Sequence, residues 1–231
     1  MASKPHTDEV YNSKRVPKNP IKFNISLNEE QKEAKAVILE STICIIKGKA
    51  GSGKSLLAAN VALDSLFKRE VEKVIVTRPM VSAADEQEIG ILPGNLDQKM
   101  SLYTAPVYDN MFRLSNKEKI ESLVAEGKIE VIPMSMCRGR NFSDAIVIVD
   151  EAQNCTDRAL EMILTRICNG TKVIICGDSA QIDLKKKADS GFEVLCKHSK
   201  DIPNFSVINL KANHRHPIVE YVIDMYSNLR S

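Results

Sequence analysis

The stretch GKAGSGKS at residues 48–55 restricts the fold of this 231-residue chain more than any other feature. It follows the apolar run TICIIK and opens a helical pattern, so it lies in a turn between a strand and a helix. Its spacing, G-x-x-x-x-G-K-[ST], directs backbone N–H groups and a helix N-terminus toward phosphate oxygens. The sequence therefore predicts a nucleoside triphosphate site formed by Gly48, Lys49, Ala50, Gly51, Ser52, Gly53, Lys54 and Ser55.

Four side chains are predicted to contact the phosphates, bind Mg²⁺ and activate the attacking water at this site. Lys54 is expected to reach the β- and γ-phosphates, and Ser55 to offer its hydroxyl to Mg²⁺. Asp150 ends the apolar run AIVIVD, where a carboxylate can hold the same ion directly or through water. Glu151 follows at once and can orient and deprotonate an attacking water. The alternative for this acidic pair is a helix N-terminus, at which Asp and Glu are favoured in any case.

Gln181 lies three residues beyond Asp178, just after the apolar pattern KVIIC. In a phosphate-loop fold this strand is expected beside the one that ends at Asp150, so that its loop faces the γ-phosphate. An amide there can hydrogen-bond the γ-phosphate or the attacking water, and can change partner when the phosphate leaves. We interpret Gln181 as a γ-phosphate sensor; a glutamine that only caps a turn is the alternative.

Val- and Ile-rich runs alternate with helical patterns along the chain. The runs are continuous, as in strands buried on both faces of a mostly parallel sheet. The predicted strands are 42–47, 73–77, 129–132, 145–150, 172–176 and 205–210. The first predicted helix begins with an N-cap at Ser26, in a capping box with Glu29, and runs to about residue 40. The other predicted helices are 54–68, two within 95–126, 156–168, 190–199 and 216–229. This order predicts one three-layer α/β domain at 25–231 after a polar, flexible arm at 1–24.

Composition argues against membrane and zinc proteins. No apolar run approaches the ~18 residues that span a bilayer, and the N-terminus lacks an apolar signal segment. We therefore expect a cytoplasmic protein without a membrane partner. The six cysteines form no C-x-x-C pair, which favours reduced core thiols over a zinc site. His214 and His216 flank Arg215 with no further ligand nearby, so they are not expected to bind metal.

Several stretches together resemble the PhoH family, the phosphate-starvation-inducible ATPases. They are GKAGSGKS, TRP (77–79), GILPGNLDQKM (90–100), RGR (138–140), VDEAQN (149–154), GDSAQIDL (177–184) and RHP (215–217). The resemblance extends from about residue 24 onward and implies a RecA-like core related to the first domain of superfamily 1 helicases. It also implies a short form, as found in bacteriophage and bacterial genomes, without added PIN-type nuclease or KH-type RNA-binding domains.

The resemblance implies roles for further side chains. Gln31 is similar to the adenine-reading glutamine of superfamily 1 helicases, although by itself it reads as a surface helix residue. Arg215 matches a position that is expected to supply an arginine to the γ-phosphate, in cis or from a neighbouring subunit. Candidates for binding nucleic acid, or a neighbour's nucleotide, are Arg78, Arg138 and Arg140. As isolated arginines, these three could equally form ordinary surface ion pairs.

Two functions follow from these patterns. The first is Mg²⁺-dependent ATP hydrolysis coupled to RNA or single-stranded nucleic acid, with helicase-like activity. The resemblance implies that such a chain acts as a homo-oligomeric ring, expected to be a hexamer. The second is a nucleotide-dependent switch or assembly module that regulates a protein partner. It is favoured by a net charge of only +2 and by 5% aromatic residues with no Trp, because single-strand binding usually uses aromatic stacking. A small-molecule kinase fits less well, because Glu151 and Gln181 suit the handling of water.

Overall fold

One parallel sheet forms the centre of the computed structural model, which describes residues 23–79, 96–182, 190–199, 201–219, 221–222 and 225–226. Its strands are β1 (Ile43–Gly48), β2 (Lys73–Arg78), β3 (Ile129–Pro133), β4 (Ala145–Val149), β5 (Lys172–Gly177) and β6 (Phe205–Leu210). Their order is β3-β2-β4-β5-β1-β6, and every neighbouring pair is parallel. Each predicted strand is confirmed to within one residue at either end.

The helices cover both faces of this sheet. They are α1 (Glu29–Glu40), α2 (Lys54–Phe67), α3 (Leu96–Leu114), α4 (Lys117–Ala125), α5 (Asp157–Leu164) and α6 (Gly191–His198). Helices α1 to α4 pack on one face, and α5 and α6 pack on the other. The predicted three-layer α/β architecture is therefore confirmed. Of the last predicted helix, residues 218–219, 221–222 and 225–226 are helical, and its other positions after 219 lie outside the described residues, as do residues 1–22 of the predicted arm.

The predicted start of the first helix is wrong by two residues. The N-cap is Asn28, whose side chain accepts the N–H of Gln31 at 2.8 Å, while the Gln31 side chain accepts the N–H of Asn28 at 3.2 Å. Ser26 is exposed and precedes the helix. Ile25 and Leu27, which precede Asn28, pack against the core. The correction places Gln31 in the first helical turn, where its side chain is part of the cap.

The burial of the central strands accounts for their continuous apolar sequence pattern. All five residues of β4 are buried, and β2 and β5 each carry a continuous run of buried residues. Both faces of these strands meet helices, so both need apolar side chains. The prediction of core thiols is confirmed for Cys44, Cys137, Cys155 and Cys176, which are free and buried. Among the helices that the structure describes, none has the length and apolar character to cross a bilayer.

Candidate nucleotide-binding site

The loop at residues 48–55 connects β1 to α2 and takes its shape from two glycines. Gly51 and Gly53 have φ values of 87° and 86°, a left-handed conformation that other residues adopt only with strain. Space is also limiting, because a Cβ atom on Gly53 would lie 2.8 Å from Nε2 of Gln31. Nζ of Lys54 donates to the carbonyl oxygens of Gly48 and Lys49 at 2.7 and 3.0 Å. The loop thus folds back around the lysine that was predicted to contact phosphate.

Asp150 and Ser55 meet at the mouth of this loop. Oγ of Ser55 donates to Oδ1 of Asp150 at 2.7 Å, and Asp150 is only 9% exposed. Burial raises the pKa of the Asp150 carboxyl and the charge of Glu151 adds to the rise, while the Ser55 hydroxyl and the charge of Arg78 oppose it. Among the residues that the structure describes, none forms a salt bridge with Asp150, and a buried carboxylate in such a place suits a divalent cation.

The donor set at this point fits Mg²⁺ in particular. A hydroxyl and a carboxylate are hard oxygen ligands, and Mg²⁺ usually takes one or two protein ligands and completes its shell with phosphate oxygens and water. Within the described residues, no group of three or more His, Cys, Asp or Glu side chains could hold a metal by itself. Ser55 and Asp150 are therefore the residues that would hold the ion together with a nucleotide.

Glu151 is fixed by a neighbour that sequence reasoning missed. Its backbone is left-handed, with φ 52° and ψ 36°, an uncommon conformation for a residue with a side chain. Nε2 of Gln153 donates to Oε2 of Glu151 at 2.7 Å, and Oε1 of Gln153 accepts the N–H of Asp178 at 3.1 Å. Gln153 is 1% exposed, so this amide is a buried link between β4 and the loop after β5. Its sequence signals were its place two residues after Glu151 and its inclusion in the stretch VDEAQN, from which no role was assigned to it.

Asp178 joins the loop after β5 to the phosphate loop. Its Oδ2 accepts the N–H of Ala50 at 2.8 Å, and its Oδ1 accepts the N–H of Ala180 at 3.0 Å. The backbone N–H of Gln181 donates to the Asp178 carbonyl at 2.9 Å. The expected adjacency of β4 and β5 is confirmed, and it brings Gln181 to the same cavity as Glu151. The N–H of Ala50, a residue of the predicted phosphate loop, therefore donates to Asp178 in this structure.

A cavity of about 520 Å³ unites most of the predicted residues, within the range common for ligand pockets. Its wall includes the predicted Gln31, Ala50, Gly51, Gly53, Lys54, Ser55, Asp150, Glu151, Gln181 and Arg215. Gly48, Lys49 and Ser52 belong to the same loop but are not part of this wall. Residues to which the sequence assigned no role in binding also line it, among them Ile25, Asn28, Asn110, Arg113, Asp178 and His214. No assigned role follows from the cavity alone, so the role of each residue stays a prediction.

The four predicted arginines divide into two groups. Arg215 lies across the phosphate loop, because its Cγ is 2.6 Å from the point where a Cβ on Gly51 would be. Arg78, Arg138 and Arg140 do not line the cavity. Arg140 pairs with Glu130 through Nη2 and Oε2 at 2.7 Å, which matches the ion-pair alternative. Arg138 is exposed.

Arg78 is held beside the site by an aromatic side chain. Its guanidinium lies over the ring of Tyr103, 5.9 Å from the centroid. The Tyr103 hydroxyl accepts the N–H of Arg78 at 2.9 Å and lies 2.8 Å from the Arg78 carbonyl, to which it can donate. Burial raises the pKa of Tyr103 to about 12, so the hydroxyl keeps its proton at neutral pH. Tyr103 thereby joins α3 to the end of β2, next to Asp150.

A phosphate loop between a buried strand and a helix, facing a strand-end carboxylate, defines the P-loop NTPase class. The family model described as "PhoH-like protein" matches residues 25–227. This chain therefore belongs to the PhoH-like family, and the resemblance noted in the sequence is confirmed.

Relatives in bacteria extend this result. The chain is 42% identical over 187 residues to a PhoH-like protein of Synechocystis sp., a match that covers 80% of this chain and 56% of that protein. It is 36% identical over 238 residues to a PhoH-like protein of Bacillus subtilis, covering 95% of this chain and 74% of that protein. The chain thus spans little more than half the length of the first relative and about three quarters of the second.

Solved structures give a more distant likeness. The Pif1 helicase from Candida albicans is 21% identical with a TM-score of 0.45, and the match covers 90% of this chain and 44% of that chain. The SWI2/SNF2 ATPase core from Sulfolobus solfataricus is 13% identical with a TM-score of 0.46, covering 83% of this chain and 46% of that chain.

Proposed function

We propose that this chain is a magnesium-dependent ATPase. The observation that carries the proposal is the 2.7 Å hydrogen bond from Ser55 to Asp150, at the wall of a cavity that Lys54 and Glu151 also line. The phosphate loop and the strand-end carboxylate are 95 residues apart in sequence, so their meeting is a property of the fold. A site for metal-bound triphosphate accounts for both groups, since each contributes an oxygen ligand.

The chemistry assigned to the chain is attack of water on the γ-phosphorus. The P–O bond to the β-phosphate breaks, ADP leaves, and the proton of the water passes to the Glu151 carboxylate. Gln153 fixes that carboxylate by donating to Oε2, which leaves Oε1 for the water. Lys54 stabilises the negative charge on the β- and γ-phosphates. Mg²⁺, held by Ser55 and Asp150, supplies further positive charge to the phosphate oxygens when it is bound.

Gln181 and Arg215 are assigned to the γ-phosphate. Gln181 lies on the loop that Asp178 connects to Ala50, so its position follows that of the phosphate loop. The side chain of Arg215 packs on Gly51 of its own chain, which supports action in cis. At the other end of the cavity, the Gln31 amide is assigned to the adenine base, since it can both donate and accept a hydrogen bond.

The proposal includes coupling of hydrolysis to RNA or single-stranded nucleic acid. Arg78 pairs in register with Pro133 at the end of β3, and exposed Arg138 follows in the next turn, so two cations share the sheet edge that bears the site. Cations so placed can bind a phosphate backbone. Arg140 contributes less, because Glu130 already neutralises it.

Assembly of several copies, expected to be a hexameric ring, is also part of the proposal. Among residues 218–226, five large apolar side chains are 42–72% exposed: Ile218, Tyr221, Val222, Met225 and Tyr226. Their spacing places them on one side of a helix, and such a surface is normally covered in an assembly. A second copy of the chain is the partner assigned to it. Light scattering on the wild type and on Tyr221→Glu tests this, and a monomeric wild type would reject the ring.

The experiment that tests the function is steady-state ATP hydrolysis with and without single-stranded RNA and DNA, at low and high salt. We expect turnover that requires Mg²⁺, is lost in Glu151→Gln, and rises with one of the two strands. The rise should be smaller in Arg138→Ala, whereas Arg158→Ala, which removes an exposed arginine on α5, serves as the matched control. Hydrolysis indifferent to both strands at low salt would favour the nucleotide-dependent switch, and absence of hydrolysis would reject the ATPase.

A further inference from the structure

The segment that follows β6 crosses over the phosphate loop and ends on it. We call residues 211–216 the strap. The backbone N–H of His214 donates to the carbonyl of Gly51 at 3.0 Å, and the side chain of Arg215 packs on the same glycine. The strap leaves β6, the edge strand beside β1, and passes the cavity before the helical residues that begin at 218. Two of its side chains, His214 and Arg215, line the cavity wall.

One carboxylate fixes the beginning of the strap. Oε1 of Glu30 accepts the N–H of Lys211 at 2.7 Å, and Oε2 accepts the N–H of Ala212 at 3.1 Å. Both oxygens are therefore used in charge-assisted hydrogen bonds to the strap backbone. Glu30 lies in the first turn of α1, immediately before Gln31, which lines the cavity. The strap is thus attached at one end to the helix that carries the base-reading amide and at the other to the phosphate loop.

The His214 side chain lies between these two attachments. The point at which Gly53 would carry a Cβ is 3.5 Å from Cδ2 and 3.8 Å from Nε2 of His214, and 2.8 Å from Nε2 of Gln31. The imidazole and the amide therefore converge on the residue that precedes Lys54 at the start of α2. In loops of this kind the helix start receives the α- and β-phosphates. With the base assigned to Gln31, the ribose and α-phosphate are the parts of a nucleotide left for His214.

Since the phosphate loop itself provides backbone donors for the α-phosphate, we propose that His214 is a nucleotide-binding residue that contacts the ribose, and that Glu30 is the positioning residue that holds it there. This rests on the proposed nucleotide site, and it adds a binding group and a support that the motifs do not contain. An imidazole has an N–H donor in either neutral tautomer, so it can serve a phosphate or a ribose oxygen. Glu30 touches no ligand and acts through the backbone of the strap.

The two residues should differ in what their loss affects. His214 contacts the ribose, which does not react, so its loss should weaken nucleotide binding much more than it lowers turnover at saturating ATP. Glu30 supports the whole strap, including Arg215, so its loss weakens binding and also lowers kcat. A purely structural role for Glu30 would reduce thermal stability without this pattern.

The test is isothermal titration of the full chain with ATP, ADP and inorganic tripolyphosphate, in Mg²⁺. In His214→Ala we expect about tenfold weaker binding of ATP and ADP, the size of one lost hydrogen bond to a ribose oxygen, and unchanged binding of tripolyphosphate. In Glu30→Ala we expect a similar loss for the nucleotides together with a lower kcat. Glu30→Gln keeps one acceptor oxygen and should recover part of the affinity. Glu33→Ala is the matched control, because it removes an exposed carboxylate from the same helix.

Each outcome decides the proposal. Wild-type affinity of His214→Ala for ADP, or an equal loss for tripolyphosphate, would remove His214 from the nucleoside end. Glu30→Ala that behaves like Glu33→Ala would overturn the positioning role. These failures differ from failure of the ATPase proposal, in which the wild type itself neither binds nor hydrolyses ATP. Because His214 is exposed, its substitution should leave the fold intact, and thermal melts of each variant verify this.

Discussion

The two ends of the cavity are built in different ways. At the phosphate end, the loop after β1 meets residues that follow β4 and β5, and the contacts are buried: Asp178 is 7% exposed and Gln153 is 1% exposed. At the base end, the cap of α1 meets a strap that leaves the edge strand β6, and His214 is exposed. Adjacent central strands fix the first end, whereas a few side-chain hydrogen bonds fix the second.

This structural difference predicts that the phosphate end contributes mainly to the chemical step, and the base end mainly to the affinity for nucleotide. Groups at the phosphate end are held by a continuous hydrogen-bond chain from Glu151 through Gln153 and Asp178 to Ala50. Preorganised groups of this kind act mainly on the reacting atoms. At the base end, Gln31 and His214 are proposed to contact the base and the ribose, which do not react. Substitutions at the first end should therefore lower kcat, and those at the second should mainly weaken binding.

The largest effect is expected for Glu151→Gln, which tests whether the phosphate end performs the chemistry. The amide cannot accept the proton of the attacking water, so kcat should fall by about 10²–10⁴-fold while ATP still binds. Phosphate release under saturating ATP, together with titration of ATP, measures the two quantities separately. Retention of more than a tenth of the activity would show that the water is activated elsewhere.

Gln153→Ala should lower kcat by roughly 10–100-fold, because the Glu151 carboxylate loses the donor that fixes it. Affinity for ADP should change much less, since Gln153 does not line the cavity. The exchange variant Glu151→Gln with Gln153→Glu is the control, because it keeps a donor and an acceptor along the same chain. This exchange variant should be more thermally stable than Gln153→Ala and should remain inactive. An active exchange variant would contradict the assignment of the base to position 151.

Gln31→Ala sharpens the comparison at the base end. Loss of the amide should weaken ADP binding by about tenfold, leave tripolyphosphate binding unchanged, and reduce discrimination between ATP and GTP. Asn28→Ala is the matched control, because it breaks the same capping box at a cost of about 1 kcal/mol in stability and leaves the amide in place. Equal loss of base discrimination in both variants would mean that the cap, and not Gln31, determines the preference.

The smallest effect is expected for the stability of Asp150→Asn without nucleotide. The pKa of Asp150 is raised above its ordinary value of 3.8, so ionisation in the folded state costs free energy. That cost is absent below pH 3.8, grows as the pH rises through the raised pKa, and remains at neutral pH. The Asn variant should therefore melt a few degrees higher than the wild type at pH 7 and at the same temperature in acid.

Addition of Mg²⁺ and ATP should reverse this order, because only the wild-type carboxylate gains a cation ligand. The exposed Asp109→Asn is the control for a change of charge alone. A lower melting temperature of Asp150→Asn at pH 7 without ligand would contradict the cost of burying this carboxylate.

The local sequence pattern was sufficient to predict much of the secondary structure. The strands were predictable because both faces of β2, β4 and β5 are buried and their apolar runs are continuous. The start of α1 was harder to predict, because Ser26 and Asn28 each satisfy a capping pattern. The choice depends on Ile25 and Leu27, whose packing against the core the sequence does not display. The same limit applies to Arg140, whose partner Glu130 is known only from the fold.

The sequence by itself determined the order of strands and helices, the phosphate loop and the acidic residues after β4, because each depends on neighbours within a few positions. The tertiary structure alone decided which distant groups meet. Ala50 bonds to Asp178, 128 residues away, and Glu30 bonds to the strap at Lys211, 181 residues away. Such pairs leave no periodic pattern in the sequence, because a backbone N–H can donate to any carboxylate that the strand order brings within reach.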